Sequence, residues 1–286
     1  MKAAIQAAPE AAGIDTANWN WKGVRLFIQQ RFDHRLGRSS CLNYLHRWGF
    51  VLKRPKKRLV KANAAKRAAF VAEYAVLRAE ARASGAKIFF VDEAHFRADV
   101  DLRAKWVLRG QPAWVDSTSP RLGEKVSYYS GVCLETGEVE SMAVSENCTA
   151  ETSVAFLQQL RGKHSQPLIV IWDNSPVHRG PEIREYLTTP DLKLRLVALP
   201  AYSPDFNADE AIWDWAREEV TANVCSGTAA KVREKLEPFW AGLAERADEV
   251  QQRCRTTLQA QADALMLAAN DLFAQTHHVD FTLVSV

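Results

Sequence analysis

The chain has 286 residues, of which 47% are hydrophobic and 25% are charged, and its formal net charge is +3. This composition excludes an intrinsically disordered protein and is enough to bury a sizeable core. No apolar run reaches the roughly 18 residues of a membrane span, the N-terminus lacks a secretory signal, and five scattered cysteines indicate neither a disulfide framework nor a zinc cluster. We therefore expect a cytoplasmic protein.

The net charge conceals an uneven distribution. Residues 21–70 contain fourteen Lys and Arg against the single acid Asp33, a charge of +13, so the remainder of the chain carries −10. A basic segment attached to an acidic body is typical of a protein whose first part contacts a polyanion. A solvated basic helix face is the alternative interpretation.

The pattern within the basic segment predicts a helix-turn-helix. Apolar residues recur at helical spacing over 24–32, residues 34–37 favour a turn, and Ser39 or Ser40 is placed to cap a second helix that stops before Gly49. Such a module lays its second helix in the major groove of DNA. The predicted DNA-binding residues lie on this second helix and in the basic arm after it: Arg38, Ser40, Asn43, Arg47, Lys53, Arg54, Lys56, Lys57 and Arg58.

The body of the chain predicts a mixed α/β domain. A long helix over 59–83 ends at Gly85, and KIFFVDEAHF then begins a buried strand, four apolar residues followed at once by acids. Strands over 105–108, 125–133 and 139–144 follow as an antiparallel meander. Helices and strands then alternate, beginning with a helix capped by Thr149 and ending with a helix over 208–220. This order predicts a ribonuclease H-like mixed sheet flanked by helices.

Four segments follow from these elements. They are a helix-turn-helix module with its basic arm (1–58), a linker helix (59–84), a ribonuclease H-like catalytic domain (85–225) and a C-terminal helical extension (226–286).

Three acids stand where apolar strands are expected to stop. Asp92 follows IFFV, Asp173 follows LIVIW, and Glu210 follows LRLVALP and its turn. Strand ends of an open α/β sheet converge at one edge, and three carboxylates held together need a hard cation such as Mg²⁺ or Mn²⁺ between them. Each acid taken alone is more often a turn or cap residue, and Glu210 also fits a capping box led by Asn207.

Three blocks of the sequence resemble the catalytic blocks of the mariner-type insertion-sequence transposases, the DDE superendonucleases. These blocks are VDEAHF, IVIWDNSPVHRG and LPAYSPDFNADEAIWDW, and 36 residues separate Asp173 from Glu210, close to the family's spacing. Ala208 and Asp209 replace the family's usual proline and apolar residue. The segment SSCLNYLHRWGFVLKRPKKR resembles the family's second helix-turn-helix, so the resemblance implies that the first one is lacking here.

The resemblance implies a transposase that cleaves transposon ends and joins their 3′-hydroxyls to target DNA. It implies that Asp92, Asp173 and Glu210 are catalytic and hold two Mg²⁺ or Mn²⁺ ions, with Asn174, His178 and Asn207 in support. It also implies a homodimer that binds terminal inverted repeats and target DNA in the prokaryotic cytoplasm, associated with the nucleoid when bound. A catalytically silent DNA-binding remnant and another ribonuclease H-like DNA nuclease are the alternatives.

Overall fold

The computed structural model describes residues 2–53, 61–118, 123–144 and 147–277. The chain divides into two compact units, residues 1–58 and 59–286. Within the described residues, no helix is both long enough and apolar enough to cross a membrane.

The first unit is helical and contains the predicted helix-turn-helix. Its helices are α1 (Lys2–Gln6), α2 (Trp21–Phe32) and α3 (Arg38–Arg47). The side chain of Asn20 caps α2 by accepting hydrogen bonds from the amides of Lys22 and Gly23. A small core formed by Ile5, Val24, Ile28 and Cys41 joins the helices.

The start of α3 differs from the prediction, whereas its end agrees. The helix begins at Arg38 with Gly37 as its N-cap, and no side chain caps it. Gly37 already has the extended backbone of a cap residue, so Ser39 and Ser40 fall inside the first turn. Gly49 follows the helix with a positive φ of 84°, and the amide of Phe50 donates to the carbonyl of Leu45, which closes the helix end.

The second unit begins with the long helix α4 (Ala64–Ser84), which starts five residues later than expected. Asn63 accepts a hydrogen bond from the amide of Lys66 at its start, and Gly85 ends it with a φ of 68°. Residues 59–60 of the predicted helix lie outside the described ranges.

In the described part of the second unit, five strands form one sheet in the order β3-β2-β1-β4-β5. The strands are β1 (Lys87–Arg97), β2 (Lys125–Val132), β3 (Val139–Val144), β4 (Leu168–Trp172) and β5 (Leu194–Ala198). β1 pairs antiparallel with β2 and parallel with β4, so the sheet is mixed as predicted.

Helices cover both faces of this sheet because its central strands bury side chains on both faces. They are α5 (Ala150–Lys163), α6 (Pro181–Leu187), α7 (Asp209–Ala216), α8 (Ala229–Gly242), α9 (Ala247–Arg253) and α10 (Thr257–His277). Phe89 and Val91 point to the core shared with α5 and α6, whereas Ile88 and Phe90 point to the core shared with α4, α7 and α8.

Three sequence predictions need correction here. Residues 105–108 do not form a strand, because they pair with no strand of the described ranges and their side chains stay in solvent, with Trp106 fully exposed. β1 does not stop at Asp92 but continues to Arg97, since β2 still pairs with it there. The helix predicted over 208–220 ends at Ala216 and continues as a π-helical turn, Arg217–Thr221.

Glu219 in this π-helical turn joins three elements of the second unit. Its carboxylate accepts two hydrogen bonds from the guanidinium of Arg246, at 2.8 and 3.0 Å, and one from the indole N–H of Trp215 at 2.5 Å. The Arg246 guanidinium also lies over the Trp215 ring, 4.1 Å from its centroid. These bonds lower the pKa of Glu219 from its ordinary 4.5 to about 2.

We expect the stabilising effect of Glu219 to depend on pH in the acidic range. Because the folded-state pKa lies below the unfolded value, the contribution is complete above about pH 4.5 and is lost as pH falls towards about 2. Glu219→Gln should therefore lower the melting temperature by a few degrees at pH 7, and this difference should shrink below pH 4.5. Calorimetry across this range, with the exposed Glu234→Gln as control, tests it. A difference that stays constant down to pH 3 would contradict the assignment.

Candidate active site

Asp92 and Asp173, the first two of the three predicted acids, lie level with each other in the sheet. The parallel pairing of β1 with β4 ends at Phe90 opposite Ile171. Extending this register by two residues places Asp92 level with Asp173, just past the end of β4. Asp92 and Asp173 therefore lie where β1 and β4 stop pairing, at the carboxyl end of β4. This edge is the usual position of a site in an open α/β sheet.

The third acid reaches the same edge on α7. Asn207 fixes the start of this helix, because its amide donates to the carbonyl of Val91 on β1 and its Oδ1 accepts from the amide of Asp209. The residue that immediately precedes the helix is Ala208, without a side-chain cap, so Glu210 is not part of the capping box that the sequence allowed. Asp92, Asp173 and Glu210 line one cavity of about 520 Å³.

Of the three acids, Asp92 is the one whose pKa is raised most by its surroundings. Burial, together with the nearby carboxylates of Glu210, Glu93 and Asp173, raises the pKa of Asp92 well above its usual range. Burial also raises the pKa of Glu210. Among the described residues, no Lys or Arg forms an ion pair with Asp92 or Glu210. In the described part of the chain, Asp92 and Glu210 are the two of the three acids that form no ion pair with a Lys, Arg or His.

Asp173 differs because its carboxylate already has partners. Oδ1 accepts from the amide of Ser175 at 2.9 Å and lies 2.8 Å from Nδ1 of His178. The hydrogen bond from His178 lowers the pKa of Asp173. This histidine is buried against Trp172, with the two ring centroids 4.0 Å apart.

Glu93 is the residue that sequence reasoning missed. It lies on the opposite face of β1 from Asp92, as the strand period requires, and its Oε1 is 2.6 Å from Nε2 of His178. His178 thus bridges Glu93 and Asp173. Burial lowers the pKa of His178, but the hydrogen bonds to Asp173 and Glu93 outweigh burial and raise it to about 9. The signal in the sequence that could have indicated Glu93 was its place next to Asp92 in the segment VDE.

Asn174 and Arg179 form the outer side of the loop after β4. The Asn174 amide donates to the carbonyl of Leu199 at 2.9 Å, which ties this loop to the segment after β5. Arg179 donates to the Asn174 carbonyl at 2.8 Å and also contacts its side-chain oxygen. Both residues line the cavity, so a cation stands at its rim beside the acids.

The donor set suits a hard divalent cation in its chemistry, since it consists of carboxylate oxygens, and those of Asp92 and Glu210 form no ion pair with a Lys or Arg among the described residues. The side chains do not yet converge, however: within the described ranges, no three His, Cys, Asp or Glu side chains are grouped closely enough to hold a metal ion. The contact of Asp173 with His178 is one reason, because it directs a carboxylate oxygen of Asp173 to the imidazole.

The predicted DNA-binding residues of the first unit fall into two groups. Arg38, Ser40, Asn43 and Arg47 lie exposed on α3, and Lys53 is exposed beyond it. The remaining residues of the arm, Arg54, Lys56, Lys57 and Arg58, lie outside the described residues.

Comparison with known proteins shows the family to which this chain belongs. Residues 87–233, just over half of the chain, match the model described as DDE superfamily endonuclease. The chain belongs to the DDE superfamily endonucleases. Residues 15–74 of this DDE endonuclease also match the winged helix-turn-helix model.

A curated relative and several solved structures are similar to this DDE endonuclease. It is 24% identical over 252 residues to an uncharacterized 39 kDa protein of insertion element IS630 from Shigella sonnei, covering 85% of this chain and 71% of that one. The mariner Mos1 paired-end complex with Mg aligns with a TM-score of 0.59 at 16% identity, over 87% of this chain and 78% of that one. The Mos1 strand transfer complex aligns with a TM-score of 0.54 at 17% identity, over 85% and 78%. These likenesses confirm the predicted ribonuclease H-like fold.

Proposed function

We propose that this DDE endonuclease is a transposase that cleaves the ends of its own insertion element and joins them to target DNA. The observation that carries the proposal is the cavity lined by Asp92, Asp173 and Glu210 in a chain whose family model is that of the DDE endonucleases. Similarity to an IS630 protein and to Mos1 complexes with transposon ends supports the same activity.

In this proposal Asp92, Asp173 and Glu210 hold two Mg²⁺ or Mn²⁺ ions. The Mos1 complexes crystallised with Mg and with Mn support divalent metal use. When bound, the ions would activate the attacking water or 3′-hydroxyl and stabilise the leaving oxygen. Burial and the neighbouring carboxylates raise the pKa of Asp92, and a bound cation would stabilise its ionised form; this is the feature of the chain that favours such binding.

The other side chains of the site have supporting roles in this proposal. His178, held by Glu93, fixes the orientation of the Asp173 carboxylate. Asn174 holds the loop after β4 against the segment after β5, and Asn207 holds the start of α7 against β1. Arg179 at the rim is placed to neutralise a DNA phosphate entering the cavity.

The first unit would supply DNA affinity, and the second the chemistry. In this proposal α3 lies in the major groove of the terminal inverted repeats, and the Lys and Arg of α3 and of the basic arm contact the phosphate backbone. A homodimer that pairs two transposon ends completes the proposal, supported by the paired-end complexes of Mos1.

The decisive experiment incubates the purified full chain with a supercoiled plasmid that carries its gene and the flanking DNA. We expect nicks at the element ends that require Mg²⁺ or Mn²⁺, followed by joining of the 3′ ends to a second plasmid. Sequencing the junctions should reveal a short target duplication. Metal-dependent hydrolysis without joining would indicate another ribonuclease H-like nuclease, and DNA binding without cleavage would indicate a silent remnant; either result overturns the proposal.

A further inference from the structure

Asp209 is a buried acid that the proposed chemistry does not use. It is the first residue of α7, and none of its surface is exposed. Both of its carboxyl oxygens lie 2.6 Å from the hydroxyl oxygen of Ser130 on β2. Among the described residues, no Lys, Arg or His forms an ion pair with Asp209. The contact with Ser130 is therefore its main side-chain interaction.

Burying a carboxyl group is unfavourable in free energy, whereas an apolar side chain of similar size would fill the same space without this penalty. The buried hydrogen bond offsets part of that cost only while its geometry is kept. A contact of this kind specifies one arrangement of the two elements it joins, because any displacement leaves a buried polar group unsatisfied.

The contact between Asp209 and Ser130 joins α7, which carries Glu210, to β2, the strand that pairs with β1 at Asp92. Ser130 stands directly opposite Asp92 in the antiparallel pairing of β1 with β2, so their side chains lie on the same face of the sheet. Asp209 immediately precedes Glu210 on α7. The contact thus fixes the start of α7 at the level of Asp92.

A second bond holds the same helix start from the other strand. The Asn207 amide donates to the carbonyl of Val91, the residue before Asp92, at 3.2 Å. The same Asn207 side chain accepts from the amide of Asp209, also at 3.2 Å. Asn207 and Asp209 therefore pin the helix start to adjacent strands, and together they define its position along the sheet edge.

We infer that Asp209 and Ser130 form a positioning pair that sets the Glu210 carboxylate at a fixed place relative to Asp92. This inference rests on the proposed function, because it assumes that Glu210 and Asp92 act on the same ion. Neither Asp209 nor Ser130 lines the cavity, so the pair acts through Glu210 rather than by touching DNA.

Three variants of the full chain test the pair. Ser130→Ala removes the hydroxyl, and Asp209→Leu replaces the carboxyl with an apolar side chain. Asp209→Asn preserves both contacts, since its Oδ1 can accept from the Ser130 hydroxyl and its amide can donate to Ser130 Oγ. Removing a group that orients a metal ligand commonly weakens metal affinity by about 10- to 100-fold. We expect a loss of this size in Mn²⁺ affinity for Ser130→Ala and for Asp209→Leu. Asp209→Asn should stay within about threefold of the wild type.

Mn²⁺ binding is measured by electron paramagnetic resonance without DNA, and cleavage and DNA affinity are measured separately. We expect cleavage to fall in parallel with Mn²⁺ binding and DNA affinity to remain unchanged. The inference is overturned if Ser130→Ala and Asp209→Leu both bind Mn²⁺ as the wild type does and only their melting temperatures fall. The pair would then have a purely structural role. If Asp209→Leu does not fold, Ser130→Ala decides alone.

A failure of the proposed function gives a different result. In that case Glu210→Gln would bind Mn²⁺ and cleave DNA as the wild type does. A failure of the positioning pair alone leaves Glu210→Gln defective while Ser130→Ala is normal.

Discussion

Asp173→Asn is expected to abolish metal-dependent DNA cleavage and to leave DNA binding intact. Removing one member of a set of residues that act as a unit costs nearly the whole activity, so the cleavage rate should fall by at least about 10³-fold. Asparagine has the shape of aspartate, and its Oδ1 can still accept from the Ser175 amide and from Nδ1 of His178. The loss should therefore come from the missing charge and not from a rearranged loop.

The measurement compares cleavage rates at saturating DNA with Mg²⁺ and with Mn²⁺. The melting temperature and DNA affinity of the variant should match the wild type. Asp191→Asn is a suitable control, since Asp191 is exposed in the same unit and has a φ of 53°, a conformation that asparagine adopts readily. Cleavage by Asp173→Asn at the rate of this control would refute the catalytic assignment.

DNA binding is expected to weaken steeply with salt. Each cation that neutralises a phosphate contributes about −0.9 to the slope of log K against log salt concentration. If each of the seven Lys and Arg proposed as DNA contacts neutralises one phosphate, the affinity for DNA should fall by on the order of 10³- to 10⁴-fold between 50 and 200 mM salt. The excess of +13 over residues 21–70 is the physical basis of this expectation.

Fluorescence anisotropy with labelled duplex DNA gives this slope directly. Arg47→Ala, on the exposed face of α3, should reduce the slope by about one unit. Lys235→Ala is the matched control, because Lys235 is an exposed cation on α8 in the second unit and should leave the slope unchanged. A flat salt response, or equal effects of the two variants, would show that the basic segment is not the DNA contact.

The sequence predicts the principal elements of the second unit because their signals are local. IFFV and LIVIW are short apolar runs of the length of buried strands, and each is followed at once by an acid. Thr149 and Gly85 mark a helix start and a helix end by capping chemistry that depends on neighbouring residues only. Asp92, Asp173 and Glu210 could therefore be chosen as candidates, although β1 runs past Asp92 to Arg97.

Other features depend on contacts that no local pattern reveals. The exposed segment 105–108 contains a short apolar run followed by a turn, which suggests a strand, yet it pairs with no strand in the described part of the chain, and a strand exists only where its backbone is paired. Ser39 and Ser40 suit a helix cap, but the cap of α3 is Gly37, two residues before Ser39.

The sequence alone thus determined the class of fold and the basic segment and singled out the three acids as candidates, since each is encoded in the order and type of adjacent residues. The tertiary structure alone decided how these acids are held. Glu93 reaches Asp173 through His178, across 85 residues of chain between Glu93 and the histidine, and Ser130 meets Asp209 across 79. Such contacts arise from strand register and helix packing, which bring distant residues together only once the sheet has formed.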